Sequence, residues 1–130
     1  MLPTENRLAK VRDFTLVMTH GIWINGQNIT IKVLDLVKNK SYFPKKENTE
    51  IFAKQLKIAF TVGLKVSKSA VVRNRIKRQM REVIRLLLKN KRIPSGYFIL
   101  FVARPSVVGA DYAAIQHEVE NLLKRAKLLS

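Results

Sequence analysis

The run Val72-Arg73-Asn74-Arg75-Ile76-Lys77-Arg78-Gln79-Met80-Arg81-Glu82 carries the densest chemistry in the chain. At 3.6 residues per turn it divides into two faces. Val72, Ile76, Met80, Val83 and Leu87, with Ile84 at the margin, line one side at a spacing suited to docking on a core. Arg73, Lys77, Arg81 and Arg85 step i, i+4 across the other, with Asn74 and Arg78 beside them. Like charges at that spacing repel by about 0.2–0.5 kcal/mol per pair. Compensation is therefore expected from outside the chain, and a polyanion is the natural source. Between Arg73 and Arg92 nine cations stand against one carboxylate, Glu82, and arginine outnumbers lysine. A merely solvated face has no need of arginine, whose planar fork pairs bidentately with phosphate and stacks on bases. The helix start, after a basic loop from Gly63 to Ser69, also offers backbone N–H groups and a positive dipole end to a phosphate.

Other chemistry is poorly supplied. A protein nuclease needs paired carboxylates on a metal, or a histidine pair acting as acid and base. The carboxylates are Glu5, Asp13, Asp35, Glu47, Glu50, Glu82, Asp111, Glu118 and Glu120, and none form such a pair. Glu118 and Glu120 lie two apart on a helix and point to different sides. His20 and His117 stand alone and are assigned structural or surface roles, and there is no phosphate-cradling glycine loop. With no cysteine, disulfides and thiolate metal sites are excluded. No catalytic or metal-binding residue is expected in the polypeptide. Phe14 and Trp23 are the aromatics available to stack on unpaired bases, at roughly 1–3 kcal/mol per base, although core packing is the commoner fate of a helical Phe. Phe60 and Phe101 are assigned to the core. Lys32, in mid-strand beside Thr30, is expected to face solvent or an anion.

The whole chain agrees with an anionic partner. Lys and Arg outnumber Asp and Glu 25 to 9, a formal charge of +16, which draws a protein toward nucleic acid or an anionic surface. A membrane is the weaker choice, since no apolar run approaches the roughly 20 residues that span a bilayer. The first residues lack the apolar core of a signal peptide, so a cytoplasmic location is expected. At 130 residues and 47% hydrophobic composition, one globular RNA-binding domain is expected over residues 1–130.

Positioning the basic run requires several elements. Arg7 to His20 reads as a first helix, with Gly21 as its stop. Asn25-Gly26 signals a type I′ hairpin turn, preceded by a strand from Ile22 to Ile24 and followed by one in which Ile29, Ile31 and Val33 alternate with Thr30 and Lys32. Residues Lys38 to Lys54, rich in Pro, Asn and mixed charges, are expected to form a flexible insertion. Lys57 to Val62 alternates as a third strand. The basic helix follows, to about Asn90, and Pro94-Ser95-Gly96 marks a turn. Tyr97 to Ala103 is apolar throughout, so it should be a central strand covered on both faces. Asp111 to Leu129 closes the chain as a helix. The order α-β-β-β-α-β-α makes an α+β sandwich on a single sheet.

These residues resemble a known family. Arg73-Asn74-Arg75-Ile76-Lys77-Arg78-Gln79-Met80-Arg81-Glu82 is similar to the RNR signature helix of the protein subunit of bacterial ribonuclease P. Arg7-Leu8, Asp13-Phe14 and Gly21 look like that family's first helix, Val66-Ser67-Lys68 with Ala70-Val71 like its lead-in loop, and Ala103-Arg104 like the end of its last strand. The resemblance spans Arg7 to Leu129. It implies a ribonucleoprotein that removes the 5′ leader of precursor tRNA, with a large RNA holding the active site and its Mg²⁺ ions. It also implies a left-handed βαβ crossover, against the usual rule. By the same resemblance, Arg73, Asn74, Arg75, Lys77, Arg78 and Arg81, with Lys65 and Lys68, should meet the catalytic RNA, while Phe14, Met18, Thr30 and Lys32 should line a leader cleft between sheet and first helix. By the resemblance two places depart from the family, which often has one aromatic where Met18 stands and another near Lys32.

Three rivals remain. A ribosomal or other structural RNA-binding protein shares the composition but not the signature. A DNA-binding regulator is disfavoured because a strand and loop, not a short helix and turn, precede the basic helix. A self-sufficient protein nuclease lacks the groups to act.

Overall fold

The computed structural model describes residues 2–42 and 53–129. Helix α1 spans Val11–His20, strands β1 and β2 Ile22–Asn25 and Ile29–Asp35, strand β3 Leu56–Thr61, helix α2 Ala70–Lys89, strand β4 Tyr97–Ala103 and helix α3 Tyr112–Arg125. The expected α+β order is present. One four-stranded sheet runs β1-β2-β4-β3. The neighbouring strands β3 and β4 pair in parallel, and α2 joins them as a βαβ unit.

The all-apolar strand explains this arrangement. β4 sits between β2 and β3, and Phe98 to Phe101 are buried on alternating faces. Toward α2 and α3 the sheet presents Ile29, Ile31, Ile58, Ile99 and Phe101, packed with Ile76, Met80, Val83, Ile84 and Leu87 of α2 and Ile115, Val119, Leu122 and Leu123 of α3. Phe60 stacks on Phe101 with ring centroids 5.5 Å apart. The opposite face holds a smaller cluster of Leu34, Leu36, Phe98 and Leu100 beneath Leu8 and Val17. Both long helices are capped by sequence: Ser69 Oγ accepts from the Val72 N–H, and Asp111 accepts from the Ala114 N–H. Both also end on a lysine in the left-handed region, Lys91 at φ 54° and Lys127 at φ 61°, with the next amide bonded back to Leu87 and Leu123 respectively.

Four boundaries differ from expectation. Residues Arg7 to Lys10 are extended rather than helical, because the Leu8 N–H pairs with the Ile58 carbonyl along the free edge of β3. An exposed strand edge needs such cover. The β1–β2 hairpin forms without positive φ at Asn25 or Gly26. Its connection is the three residues between β1 and β2, closed by the Glu118 carboxylate, which accepts the Asn28 N–H at 2.8 and 3.1 Å. The last helix stops at Arg125, short of Leu129. Of the insertion expected at 38–54, Lys40–Tyr42 forms one 3₁₀ turn; residues 43–52 lie outside the described residues.

Ile76 joins the basic helix to the core and is fully buried. Ile76→Ala should cost about 2–5 kcal/mol of stability, read as a lowered denaturant midpoint with an unchanged slope.

Candidate RNA interface

Register places the sheet's second face in cross-strand rows. Asn25, Thr30, Val102 and Thr61 make one row, Trp23, Lys32, Leu100 and Ala59 the next, and Leu34, Phe98 and Lys57 a third. α1 is only ten residues long, and Val17 and Leu8 cover the apolar members of the later rows. The first row is open at its ends, where Asn25 and Thr61 are exposed, while Thr30 is buried and Val102 half-buried. Trp23, Asn25, Thr30, Val102 and Arg104 line a solvent-facing hollow of about 510 Å³ there.

Lys32 is the joint between α1 and the sheet. Contrary to the expectation for a mid-strand lysine, it faces neither solvent nor an anion and is 6% exposed. Its ammonium donates to the Met18 carbonyl, near the last turn of α1, where the helix leaves unpaired acceptors and partial negative charge. The same nitrogen sits 4.6 Å from the Trp23 ring centroid. Gly21 permits this approach: a Cβ there would lie 2.9 Å from Lys32 Cγ and 2.5 Å from the Val17 carbonyl oxygen. Met18 itself is 49% exposed, while Thr30 is buried with its hydroxyl 3.4 Å from Asn25 Oδ1.

Phe14 lies elsewhere. It is half-buried on the side of α1 facing β3 and lines a cavity of about 330 Å³ with Leu8, Ala59, Arg7, Lys77 and Arg81. The four residues assigned to a leader cleft therefore fall in two groups, with Phe14 toward the β3 edge and Thr30, Lys32 and the Met18 backbone bonded to it toward β1. Arg7 joins the first group and Asn25, Trp23 and Arg104 the second. A two-residue turn at Asn25-Gly26 would have paired Trp23 with Asn28; the longer connection that forms is what sets Asn25 and Trp23 opposite Thr30 and Lys32.

The basic helix also sorts more finely than its periodicity suggested. Asn74, Arg75 and Arg78 are exposed, as are Lys65 and Lys68 in the preceding loop. Arg73, expected to be exposed, is half-buried and donates to the Ser67 and Lys68 carbonyls at 3.0 and 3.2 Å. Lys77 and Arg81 turn toward the Phe14 cavity, whose lining contains no carboxylate. Arg85 is bound twice by Glu82, at 2.7 and 2.9 Å. Part of the stripe's repulsion is thus answered inside the chain, not by an external anion alone. The hydrogen bond from Arg85 holds the Glu82 carboxyl below its ordinary value and raises the guanidinium's. Because Glu82 is lowered, the pair is intact at neutral pH and is lost only as pH falls through the carboxylate range.

Comparison with known proteins decides what this surface belongs to. The ribonuclease P family model matches residues 2–127. This chain belongs to the ribonuclease P protein family. The ribonuclease P protein component of Cyanothece sp. is 32% identical over 130 residues, covering 99% of this chain and 98% of that protein. The component from Nostoc punctiforme is 33% identical over 135 residues, with 98% and 95% covered. The fold of the RNase P protein of Staphylococcus aureus superposes with a TM-score of 0.73 at 24% identity, over 96% of this chain and 98% of that one. The RNase P protein of Thermotoga maritima gives 0.66 at 23% identity, over 92% and 96%. The α+β sandwich is therefore the fold of ribonuclease P proteins, which function with an RNA subunit.

Met18 and Lys32, two of the residues assigned to the leader cleft, are tied to each other through the Met18 carbonyl. Among the described residues no three His, Cys, Asp or Glu side chains are grouped to hold a metal ion. No described helix is long and apolar enough to cross a membrane.

Removing the internal counter-charge offers a test. Glu82→Gln should free Arg85 for one more phosphate and steepen the log–log salt dependence of RNA affinity by about 0.7–0.9, measured by titration at several salt concentrations.

Proposed function

We propose that the chain is the RNA-binding subunit that equips a catalytic RNA to remove the 5′ leader from precursor tRNA. The observation that supports this most directly is the exposed ridge of Asn74, Arg75 and Arg78, on a helix whose opposite face is locked in the core, in a chain matched to the ribonuclease P family from residue 2 to 127.

In this proposal α2 is the docking element. Arg75 and Arg78 present exposed guanidinium forks to the catalytic RNA, and Asn74 adds a donor and acceptor between them. Arg73 acts partly by holding the lead-in loop, so that Lys65 and Lys68 stand on the same approach. Lys77 and Arg81 attract phosphate toward the Phe14 cavity. The leader lies along α1 and the open part of the sheet, past Phe14 and Met18, over Thr30. Lys32 contributes by fixing the end of α1 and adding positive potential beneath the path. The hydrolytic step and its Mg²⁺ ions belong to the RNA subunit, which supplies a metal-activated water; this chain binds and orients. A cytoplasmic location goes with that role. A purely structural RNA-binding role would leave leader-bearing and mature tRNA equivalent.

Adding the chain to the catalytic RNA of a related bacterium at low magnesium should restore leader cleavage; absence of any restoration would sink the proposal. Arg75→Ala and Arg78→Ala should each weaken assembly by about tenfold, the cost of one charge-assisted hydrogen bond, with an unchanged melting temperature. Phe14→Ala should reduce affinity for leader-bearing substrate by about 1–3 kcal/mol while sparing mature tRNA; an equal loss for both would assign Phe14 to packing.

A further inference from the structure

Trp23 is the single tryptophan of the chain, and it is not in the core. It lies on β1, an edge strand, and remains 44% exposed. A residue of that size is ordinarily worth far more buried. One interaction holds it where it is. Lys32, its cross-strand partner, places an ammonium 4.6 Å from the ring centroid, and that ammonium is itself anchored to the Met18 carbonyl. The ring is therefore oriented by a buried charge while much of its surface stays open to solvent.

The surroundings fit one kind of ligand. The hollow beside Trp23 is lined by Asn25, Thr30, Val102 and Arg104. Asn25 supplies an amide for a base edge. Arg104 is exposed, with one guanidinium nitrogen already donating to the Gly26 carbonyl at 3.0 Å, which orients the group without neutralising it. No carboxylate lines the hollow. An aromatic face, an amide and an unneutralised guanidinium around an open recess are what a nucleotide of single-stranded RNA requires.

We infer that Trp23 is a base-stacking residue for the single-stranded RNA leader, with Lys32 as its positioning residue and Arg104 as the phosphate partner. This rests on the proposed function and deepens it. Met18 and Lys32 offer no ring to a base, and the aromatic face beside the Thr30 row is Trp23, on the neighbouring strand across from Lys32. A base seated there takes the ring surface that Lys32 leaves open. The leader path then ends at β1, about three strand spacings, roughly 14 Å, from the Phe14 cavity beside β3.

Because Trp23 is the lone tryptophan, its emission reports on the site directly. Titrating the full chain with a short unstructured RNA oligonucleotide should quench and shift that emission. An abasic ribose-phosphate oligomer of equal length and charge should compete for binding without the same quenching. Equal responses to the two would overturn stacking, whatever happens to any variant. In the reconstituted holoenzyme, Trp23→Ala should weaken binding of leader-bearing precursor tRNA by about tenfold, leave mature tRNA unchanged, and be largely rescued by Trp23→Phe. If Trp23→Ala binds leader-bearing RNA as the parent does, while the parent still prefers it to mature tRNA, only the Trp23 assignment fails. If the parent shows no such preference, the proposed function fails with it.

Discussion

Strand β4 must be dry on both faces, and the chain has unequal means of making it so. On one side the long helices α2 and α3 interlock with Ile29, Ile31, Ile58, Ile99 and Phe101. On the other, among the described residues, the ten-residue α1 and Leu8 before it protect Leu34, Phe98 and Leu100, and the Asn25 and Thr61 ends of the Thr30–Val102 row stay exposed. Hydrophobic burial scales with covered area, so the short helix settles over the most apolar rows. The hollow beside Trp23 lies at the β1 end of that row. The recess is thus a consequence of how the core closes, and needs no separate design of the loops.

Charge follows the same logic. A surplus of cations tends to push a compact state apart, and several are tethered internally: Arg85 to Glu82, Arg73 to loop carbonyls, and Lys32 to the end of α1. What remains outward on α2 is Lys89 near its end and a narrow group of Asn74, Arg75 and Arg78 on the side of the helix away from Ile76 and Met80. Rigid presentation matters for such a surface, because a guanidinium already aimed loses less freedom when it meets a phosphate. Ser69 caps the helix at one end and Lys91 closes it at the other. The core of the molecule therefore serves the interface by holding one helix still.

Sharing the βαβ unit between core and interface has a further result. α2 crosses from β3 to the central β4, so its inner face sits at the heart of the large cluster while its flank borders the cavity with Phe14. Arg7, Lys77 and Arg81 come together there although they are far apart in the chain. In the proposed holoenzyme the catalytic RNA and the leader would meet the protein on adjoining surfaces, one along α2 and the other along α1.

Much of this was legible before folding. Period-3.6 spacing identified α2 and its buried stripe, strict alternation identified β2 and β3, and the apolar run of Tyr97 to Ala103 announced a central strand, because each of these depends on near neighbours in sequence. The RNR run pointed to the family for the same reason: its chemistry is contiguous. Long-range contacts decided the rest. The pairing of Leu8 with Ile58 shortened the first helix, Glu118 from α3 closed the hairpin, and the carbonyl of Met18 buried Lys32 where solvent was expected. None of those partners is adjacent in sequence, and a hydrogen bond across the fold outweighs a local propensity of a few tenths of a kcal/mol. Types and spacing were therefore enough to name the chemistry, whereas only three-dimensional packing could decide which cations stay free and which aromatic is left facing water.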